Sequence, residues 1–497
     1  MLRVDASSAT GVGHLVRSLA LAEQALARGH DVLVCGHVEG EWATQQVEEA
    51  GVQHRSAAPT SAELADLALA EGVQLVHVDQ YDVEADLREA LHTKGIRLSS
   101  IEDSAFGRRP ADLVIDPTVG AERRDRPADG SPVLALGSAY VPLRSSVLAA
   151  RDRRKDRAGG LGDRPRVIVV MGGTDSGEAL VGAVETLVNA DVSADVLAVA
   201  PTPRPGLMAE AMSTRQVRVL ATPVRSDLPR LFADHDLVVC ASGTTVWELC
   251  CIGTPMAVVY VTDNQKPVHD ALVEADAALG LGSVAEMGDR VGRLRSLLRD
   301  GLRRLDLAAA GSALVDGGGA ARVVDLMEAV VAGSDRPWQL RARVATPDDA
   351  DRLLAWRNDP GTRAASGGRG EVSQESHLAW LGTTLADRNR LLLVVEDLSG
   401  NPVATVRWDR LDHGERAVDA DWEASITVAP EQRGTGLARP ALAEGERFLA
   451  ARHASGQRLV ARVHGHNRAS KRLFESSGYV SQDVPADDLG FLTYRKG

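Results

Sequence analysis

Short apolar runs alternate with helix-like segments from the first residues to about residue 261, and this alternation limits the possible folds more than any other feature. The segments between the runs are rich in Ala, Leu and Glu. Strands that alternate with helices predict parallel α/β sheets, because a crossover helix returns the chain between parallel neighbours. The runs are Leu2–Val4, Asp31–Cys35, Leu75–Asp79, Leu98–Ile101 and Leu113–Ile115, then Val167–Met171, Val196–Ala200, Val217–Leu220, Leu237–Cys240 and Met256–Val261.

Two polar segments divide the chain into three predicted domains. Residues 151–166 are charged and Gly-rich, and residues 333–340 read GSDRPWQL, so we interpret both as connections. We expect a Rossmann-like lobe at 1–150, a nucleotide-binding lobe at 166–332 and a mixed α+β domain at 341–497. Two facing α/β lobes place a cleft at the carboxyl ends of their sheets.

Composition excludes several classes of function. The 497 residues include 69 Asp and Glu against 56 Lys and Arg, and this acidic balance disfavours nucleic acid or an anionic membrane as the main partner. No apolar run approaches the length of about 20 residues that spans a bilayer, and the N-terminus lacks the apolar region of a signal peptide. The four cysteines have no metal-ligand spacing, which is typical of a reducing compartment. We therefore expect a cytoplasmic protein, and its oligomeric state stays open.

The connection after the first predicted strand contains a candidate base. Its glycines let the backbone approach a ligand, and it opens a helix whose N-terminus attracts anions. The helix field at His14 disfavours an imidazolium, so a neutral imidazole is available there as a base. An ordinary βα turn explains the same pattern equally well. The first-lobe candidates for substrate binding are Asp5, Gly13, Arg17, Asp79, Tyr81, Tyr140 and Arg144.

Strand ends in the second block also carry polar residues. A Gly-Gly-Thr segment follows one predicted strand, and a Ser-Gly-Thr-Thr segment opens a helix with Glu248 near its start. The helix N-terminus can hold a diphosphate while the Glu248 carboxylate binds a ribose diol. Each motif taken alone is also explained by a well-formed turn. The second-lobe candidates are Gly172, Gly173, Thr174, Ser242, Gly243, Thr244, Glu248, Asn264 and Gln265.

In this order, the motifs resemble those of the UDP-sugar hydrolases of pseudaminic acid biosynthesis, which are related to two-lobed GT-B glycosyltransferases. The resemblance covers residues 1 to about 280. Val16, Ser18 and Gln80 differ from the residues that are common in the family at these positions. It implies a GT-B-like fold with His14 as the catalytic group. The implied substrate is UDP-2,4-diacetamido-2,4,6-trideoxy-β-L-altropyranose, which would be hydrolysed to UDP and the free sugar.

The chemistry needs a base for water and stabilisation of the leaving diphosphate. On this hypothesis His14 is the base, and helix N-termini at 172–174 and 242–245 stabilise the diphosphate. Asp79 and Asp82 are close enough in sequence to suggest a metal pair, but no carboxylate cluster has convincing ligand spacing, so we expect no metal. A glycosyltransferase and a non-catalytic sugar-nucleotide-binding module remain the alternatives, and substitution of His14 separates the module from the hydrolase.

The sharpest motif is Arg-Gly-Thr-Gly-Leu-Ala, which follows a predicted strand and opens a helix near 436–452. Backbone amides of such a turn can wrap a pyrophosphate. With the downstream His-Asn segment, the motif is similar to that of the GNAT acetyltransferases, which implies acetyl-CoA as co-substrate and a contact between Asn467 and its arm. The candidate cofactor residues are Val428, Gln432, Arg433, Gly434, Thr435, Gly436, Leu437, Ala438 and Asn467.

Flanking residues narrow the resemblance to N-acetyltransferases that act on UDP-4-amino-sugars in the same pathway. These acceptor-side candidates are Trp356, Arg357, Asn358 and His377. Glu423 is either the base for the attacking amine or a solvated strand residue. Phe474 stands where many members have a tyrosine acid, and Tyr479 is interpreted as core packing. The combined hypothesis is a bifunctional enzyme that acetylates a UDP-4-amino-sugar and then hydrolyses the product, with acyl group and sugar stereochemistry open.

Overall fold

The computed structural model contains two compact units, the N-terminal unit Met1–Pro337 and the C-terminal unit Trp338–Gly497. The described residues are 1–7, 12–58, 60–156, 164–172, 177–200, 213–214, 216–223, 227–334, 338–365, 370–398, 400–411, 421–452, 458–482, 486–487 and 489–496.

The first lobe of the N-terminal unit is a seven-stranded parallel sheet in the order β3-β2-β1-β4-β5-β6-β7. Its central strands are buried on both faces, because helices cover both sides of a parallel sheet, and they carry the buried polar side chains of His77, Ser99 and Ser100 among apolar ones. The strands are β1 Leu2–Val4, β2 Leu33–Cys35, β3 Gln53–Arg55, β4 Leu75–Asp79, β5 Arg97–Ile101, β6 Leu113–Asp116 and β7 Val133–Leu136. The helices that follow them are α1 Gly13–Ala27, α2 Glu41–Glu49, α3 Ser61–Ala70, α4 Leu87–His92 and α5 Ser145–Asp156.

The second lobe is a six-stranded parallel sheet in the order β10-β9-β8-β11-β12-β13. Its strands are β8 Arg166–Val170, β9 Ala194–Ala200, β10 Val217–Pro223, β11 Leu237–Ala241, β12 Met256–Tyr260 and β13 Leu279–Ser283. Its helices are α6 Glu178–Asn189, α7 Leu228–Asp234, α8 Thr245–Ile252, α9 Lys266–Glu274, α10 Val291–Arg299, α11 Gly301–Leu314 and α12 Gly319–Val331.

Two helices cross between the lobes. Helix α5 packs Val147 and Ala150 into the core under the second sheet, whereas α12 packs Val323 into the core of the first. The prediction that residues 151–166 form a connection is therefore wrong for residues 151–156, because these residues belong to α5. The physical reason is that Arg154 donates hydrogen bonds to the carbonyls of Gly253, Ala233 and His235, at the ends of helices in the second lobe.

The C-terminal unit is a mixed seven-stranded sheet in the order β14-β15-β16-β17-β18-β20-β19, in which β17 and β18 are parallel neighbours. One face carries Val406, Trp408 and Trp422 into a core shared with Leu442 of the covering helix. The strands are β14 Leu340–Val344, β15 Arg390–Asp397, β16 Pro402–Leu411, β17 Asp421–Val428, β18 Arg458–His464, β19 Val480–Ser481 and β20 Phe491–Lys496. The helices are α13 Ala350–Asn358, α14 Pro360–Ala365, α15 Gln374–Ala386, α16 Ala438–Arg452 and α17 Arg468–Ser476.

The predicted fold class, two parallel-sheet lobes followed by an α+β unit, is confirmed by these sheets. Among the described residues, no helix has both the length and the apolar character needed to cross a bilayer.

Candidate active sites

The first site is built at the carboxyl ends of β1 and β4. His14 is the second residue of α1, and Asp79 is the last residue of β4. The His14 Nδ1 atom lies 2.5 Å from Asp79 Oδ1. Because a carboxylate only accepts hydrogen bonds, Nδ1 carries the proton in this pair and Nε2 keeps its lone pair. The Arg17 Nη2 atom lies 3.1 Å from the same Nδ1, but two donors cannot share one hydrogen bond, so the Asp79 contact determines the tautomer.

Arg17 holds two carboxylates in a buried network. Its Nε and Nη2 atoms donate to Asp79, both at 2.7 Å, and Nη1 and Nη2 donate to Asp103 at 2.8 and 3.0 Å. Burial by itself raises the pKa of Asp79, but the Arg17 guanidinium outweighs burial and holds that pKa well below its usual range. Asp79 is therefore an anion that fixes the orientation of the His14 ring. Sequence reasoning missed Asp103, which carried no motif signal of its own.

Tyr81 connects this network to the second lobe. Its hydroxyl donates to Asp103 Oδ2 at 2.8 Å and is also hydrogen-bonded by the side chain of Asn264. Its ring meets the His14 ring edge-on, with centroids 5.0 Å apart. Burial and Asp103 together raise the pKa of Tyr81, so the phenol stays protonated. The structure thus brings together residues that are far apart in sequence, from both lobes.

Contacts near Thr244 and Glu248 complete the region where the lobes meet. A Cβ atom added to Gly13 would lie 3.1 Å from Thr244 Oγ1, so the lobes approach closely at this glycine. Arg144 donates to Gln46 Oε1 at 3.0 Å and lies 3.4 Å from Glu248 Oε1. Burial raises the pKa of Glu248, and Arg144 opposes that rise. The cleft here is lined by Val16, Arg17, Pro117, Val141, Pro142, Leu143, Thr244, Trp247 and Glu248.

Two of the predicted substrate residues, Asp5 and Tyr140, have partners within the protein. Asp5 accepts hydrogen bonds from Arg3 and from the His37 amide, and also from the Gln80 side chain. Tyr140 is only 2% exposed and packs in the core against α12. These two side chains therefore have partners that explain them without a ligand.

The described residues among the remaining second-lobe candidates lie in or beside turns. Ser242 Oγ donates to the Val259 carbonyl at 3.1 Å, and Gln265 Oε1 accepts from the Val261 amide at 3.0 Å. Gly172 adopts a left-handed conformation with φ 83°, and Gly243 lies beside Gln265. Gly173 and Thr174, predicted to bind the diphosphate, lie outside the described residues. Among the described residues, no three His, Cys, Asp or Glu side chains form a group that could hold a metal ion.

The second site lies in the C-terminal unit, where β17 and β18 part. Their paired positions run from Asp421–Arg458 to Ala424–Ala461, while β17 continues to Val428. A turn then leads through Gln432 to α16, with Gly434 at φ 79° and Gly436 at φ 83°. Leu437, 1% exposed, anchors this turn in the core, and Ala438 begins the helix.

The glycine turn offers backbone donors. In the described part of the chain, the amides of Gly434, Thr435 and Gly436 donate no hydrogen bond, and Thr435 Oγ1 donates to the Gln432 carbonyl at 2.7 Å. A run of free amides at a helix N-terminus is a geometry that binds a pyrophosphate.

Two predicted cofactor side chains are engaged within the protein. Arg433 forms an ion pair with Asp359 at 2.6 Å and donates to Thr362 Oγ1 at 2.7 Å. Asn467 caps α17, since its Oδ1 atom accepts from the Ser470 amide at 3.0 Å. The backbone of the turn is therefore better placed than the Arg433 side chain to hold an anion.

Glu423 lies next to the point where the strands part. Burial raises the pKa of its carboxyl, and Arg462, Asp409, Arg407 and Asp487 make smaller contributions of mixed sign. Asp409 is its direct cross-strand neighbour on β16. No hydrogen bond from the described residues contributes to the pKa of the Glu423 carboxyl, so its oxygens are available to take a proton.

The position at which many GNAT acetyltransferases have a tyrosine that acts as an acid is occupied here by an apolar side chain. Phe474 is 3% exposed and meets the Tyr479 ring edge-on at 5.0 Å. Tyr479 is buried and donates to Glu446 at 2.9 Å, so its interpretation as core packing is confirmed. Neither ring offers a proton at the parted strands.

The acceptor-side candidates lie on α13 and α15. Trp356 is buried in a small apolar cluster, and the Asn358 side chain exchanges two hydrogen bonds of 2.8 Å with the Val372 backbone. Arg357 Nη1 and His377 Nε2 are buried polar atoms without a partner in the described part of the chain. Burial lowers the pKa of His377.

Comparison with known proteins gives relatives for the C-terminal unit. Residues 339–480 match the family described as acetyltransferase (GNAT) domain. YwnH of Bacillus subtilis, described as a candidate phosphinothricin acetyltransferase, is 30% identical over 140 residues, which make up 28% of this chain and 82% of YwnH. The GNAT resemblance is therefore confirmed at the level of the family.

The N-terminal unit has relatives of another kind. A UDP-N-acetylglucosamine–N-acetylmuramyl-(pentapeptide) pyrophosphoryl-undecaprenol N-acetylglucosamine transferase of Xanthomonas oryzae is 31% identical over 207 residues, 39% of this chain and 46% of the transferase. The crystal structure of MurG from Acinetobacter baumannii superposes with a TM-score of 0.51 at 17% identity, covering 66% of this chain and 98% of MurG. The GT-B-like fold is thus confirmed, whereas these relatives lend no support to a hydrolase, which stays a prediction.

Proposed function

The C-terminal unit belongs to the GNAT acetyltransferase family, and from this premise we propose that the chain is a bifunctional enzyme of amino-sugar nucleotides. In the proposal, the C-terminal unit transfers an acetyl group from acetyl-CoA to the amine of a UDP-4-amino-sugar. The N-terminal unit then hydrolyses the acetylated UDP-sugar. The second step is the finer prediction, and the His14–Asp79 pair is the observation that carries it.

Acetyl transfer needs a deprotonated amine next to a bound thioester. The free amides of the glycine turn support binding of the acetyl-CoA pyrophosphate. Glu423 takes a proton from the amine, directly or through water, and the amine nitrogen then attacks the acetyl carbonyl. The carbon–sulfur bond breaks and CoA leaves as a thiolate. Since Phe474 is apolar, the thiolate takes its proton from solvent or from another group.

Hydrolysis needs a base for water and a stabilised leaving group. Asp79 holds the Nδ1 proton of His14, so Nε2 can accept a proton from water as the water oxygen attacks the anomeric carbon. The bond between that carbon and the diphosphate oxygen breaks, and UDP leaves with the electron pair. The amides at the start of α8, beside Thr244, are suited to stabilise the diphosphate charge. Consecutive steps on one chain also raise the local concentration of the intermediate.

A glycosyltransferase is the second candidate for the N-terminal unit, and the MurG-like fold favours it. In that reaction an acceptor hydroxyl replaces water at the same anomeric carbon, and His14 acts on the hydroxyl in the same way. A module that only binds sugar nucleotides would make no use of an oriented His14.

The proposal is tested by incubating the full chain with acetyl-CoA and UDP-4-amino-4,6-dideoxy-N-acetyl-β-L-altrosamine. Free thiol measures acetyl transfer, and UDP measures the second step. We expect thiol first and then UDP and free sugar without any added acceptor. Thiol without UDP would limit the proposal to acetyl transfer. UDP that appears only when an acceptor is added would establish the glycosyltransferase instead.

A further inference from the structure

Asp103 is a carboxylate with 20% of its side chain exposed that takes no part in the proposed reaction, although it lies one contact away from the base. It shares the Arg17 guanidinium with Asp79, through hydrogen bonds of 2.8 and 3.0 Å. We propose that Asp103 is a positioning residue that keeps the His14–Asp79 pair negatively charged, so that the imidazolium formed during the reaction is stabilised. This inference rests on the proposed role of His14 as a base.

Charge balance is the first argument. Arg17 binds Asp79 through two hydrogen bonds of 2.7 Å, and on its own it would neutralise that carboxylate. A neutral ion pair stabilises a nearby cation far less than a free carboxylate does. Asp103 adds a second carboxylate to the same guanidinium, so the three side chains together keep one negative charge. That charge is available to the ring of His14, which touches both Asp79 and Arg17.

The backbone around Asp103 also supports the inference, because it holds the side chain in place through a turn with a strained conformation. Asp103 and Phe106 exchange backbone hydrogen bonds of 3.0 and 3.1 Å and close a tight turn directly after β5. Within it, Ser104 adopts the left-handed conformation at φ 60°, which is strained for a residue with a Cβ atom. Strain of this kind persists only where the surroundings over-determine it, and it concentrates at functional sites.

The positions of the Tyr81 and Phe106 rings depend on the same turn. Asp103 Oδ2 accepts from Tyr81 at 2.8 Å, and the Tyr81 ring lies between the His14 ring at 5.0 Å and the Phe106 ring at 5.9 Å. A purely structural role for Asp103 would be to hold Tyr81 and the turn. The two roles differ in one measurable respect, since only the electrostatic role changes the protonation of His14.

The groups that face His14 are Asp79, Asp103, Arg17 and the neutral Tyr81 hydroxyl. Replacing Asp103 with Asn removes one negative charge and keeps the size of the side chain. The imidazolium then loses stabilisation, so the His14 ring becomes protonated only at a lower pH. By the same argument the acidic limb of UDP release moves to lower pH, and kcat falls on the order of tenfold with little change in KM.

The test is an NMR titration of the histidine rings in the full chain, with His14 assigned by the signal lost in His14→Ala. We expect the His14 titration to move to lower pH in Asp103→Asn and to return towards wild type in Asp103→Glu, which keeps the charge. Asp116→Asn is the control, since Asp116 ends the neighbouring strand β6, is buried, and binds Thr118. It should leave His14 unchanged.

The NMR readout does not need turnover, so it separates this inference from the proposed function. An unchanged His14 titration in a folded Asp103→Asn variant would overturn the inference, whatever the enzyme does. If Asp103→Asn does not fold, Asp103→Ser, which also removes the charge, is titrated instead: a shift of His14 to lower pH supports the inference, and an unchanged titration overturns it. A chain that shows the NMR shift but releases no UDP would keep the inference on the charge and remove the hydrolase.

Discussion

The two candidate sites are built from different parts of the chain. In the N-terminal unit the site consists of side chains, with Arg17, Asp79 and Asp103 in a buried ionic network around His14. In the C-terminal unit the cofactor region consists of backbone, with free amides in a turn whose shape depends on Gly434 and Gly436. A side-chain site should therefore fail when one functional group is removed, and a backbone site when the turn cannot form.

The strongest test of this contrast is His14→Ala in the N-terminal unit. Loss of a general base lowers kcat by about 10²–10⁴-fold, so UDP release should fall by that factor. Acetyl transfer by the C-terminal unit should be unchanged, since His14 belongs to the other unit. UDP and thiol release, measured on one preparation, provide readout and control together. Equal loss of both activities would indicate damage to the whole chain and contradict the assignment.

Glu423→Gln is the corresponding test in the C-terminal unit, with an expected fall in acetyl transfer of about 10²-fold. The base must be deprotonated to act, and burial raises the pKa of Glu423. Activity should therefore decline on the acidic side at a higher pH than for an ordinary glutamate.

Asp409→Asn provides the matched variant for this test. It removes a like charge beside Glu423, so the pKa of Glu423 should fall and the acidic limb should move to lower pH. A pH profile of thiol release checks both variants. Full activity in Glu423→Gln would show that Glu423 is not the base and would favour the alternative of a solvated strand residue.

Gly436→Ala tests the backbone site itself. A left-handed conformation costs an L-residue roughly 1–2 kcal/mol, so the turn should open or distort and CoA affinity should fall by about tenfold. Thr435→Ala is the control, because it removes the side-chain hydrogen bond to the Gln432 carbonyl and leaves both glycines of the turn in place. Isothermal titration with CoA measures both. A larger loss for Thr435→Ala than for Gly436→Ala would contradict a site made of amides.

The contrast also explains what could be predicted from sequence. Strand runs such as Leu75–Asp79 and the glycine turn are local patterns, and the structure has them where the sequence places them. Asp103 was missed because its role depends on Arg17, which is distant in sequence and has no fixed spacing from it. The prediction of a linker at residues 151–166 failed for the same reason. The carbonyl partners of Arg154 lie about 80 to 100 positions further along the chain. Long-range partners of charged side chains are what a single sequence does not reveal.

Arg433→Ala should have the smallest effect of these variants, although the GNAT resemblance implies a role for this residue in pyrophosphate binding. Its guanidinium is shared between Asp359 and Thr362, and 37% of its side chain is exposed. Exposed ion pairs contribute about 0.2–1 kcal/mol, so CoA affinity should change by less than about fivefold. Asp359→Asn is the informative partner variant, because it frees Arg433 and should leave CoA affinity equal or raise it. Arg433→Ala could instead weaken CoA binding more than Gly436→Ala does. That result would mean that the Arg433 guanidinium breaks its ion pair with Asp359 and binds the cofactor. The C-terminal site would then depend on a side chain as the N-terminal site does.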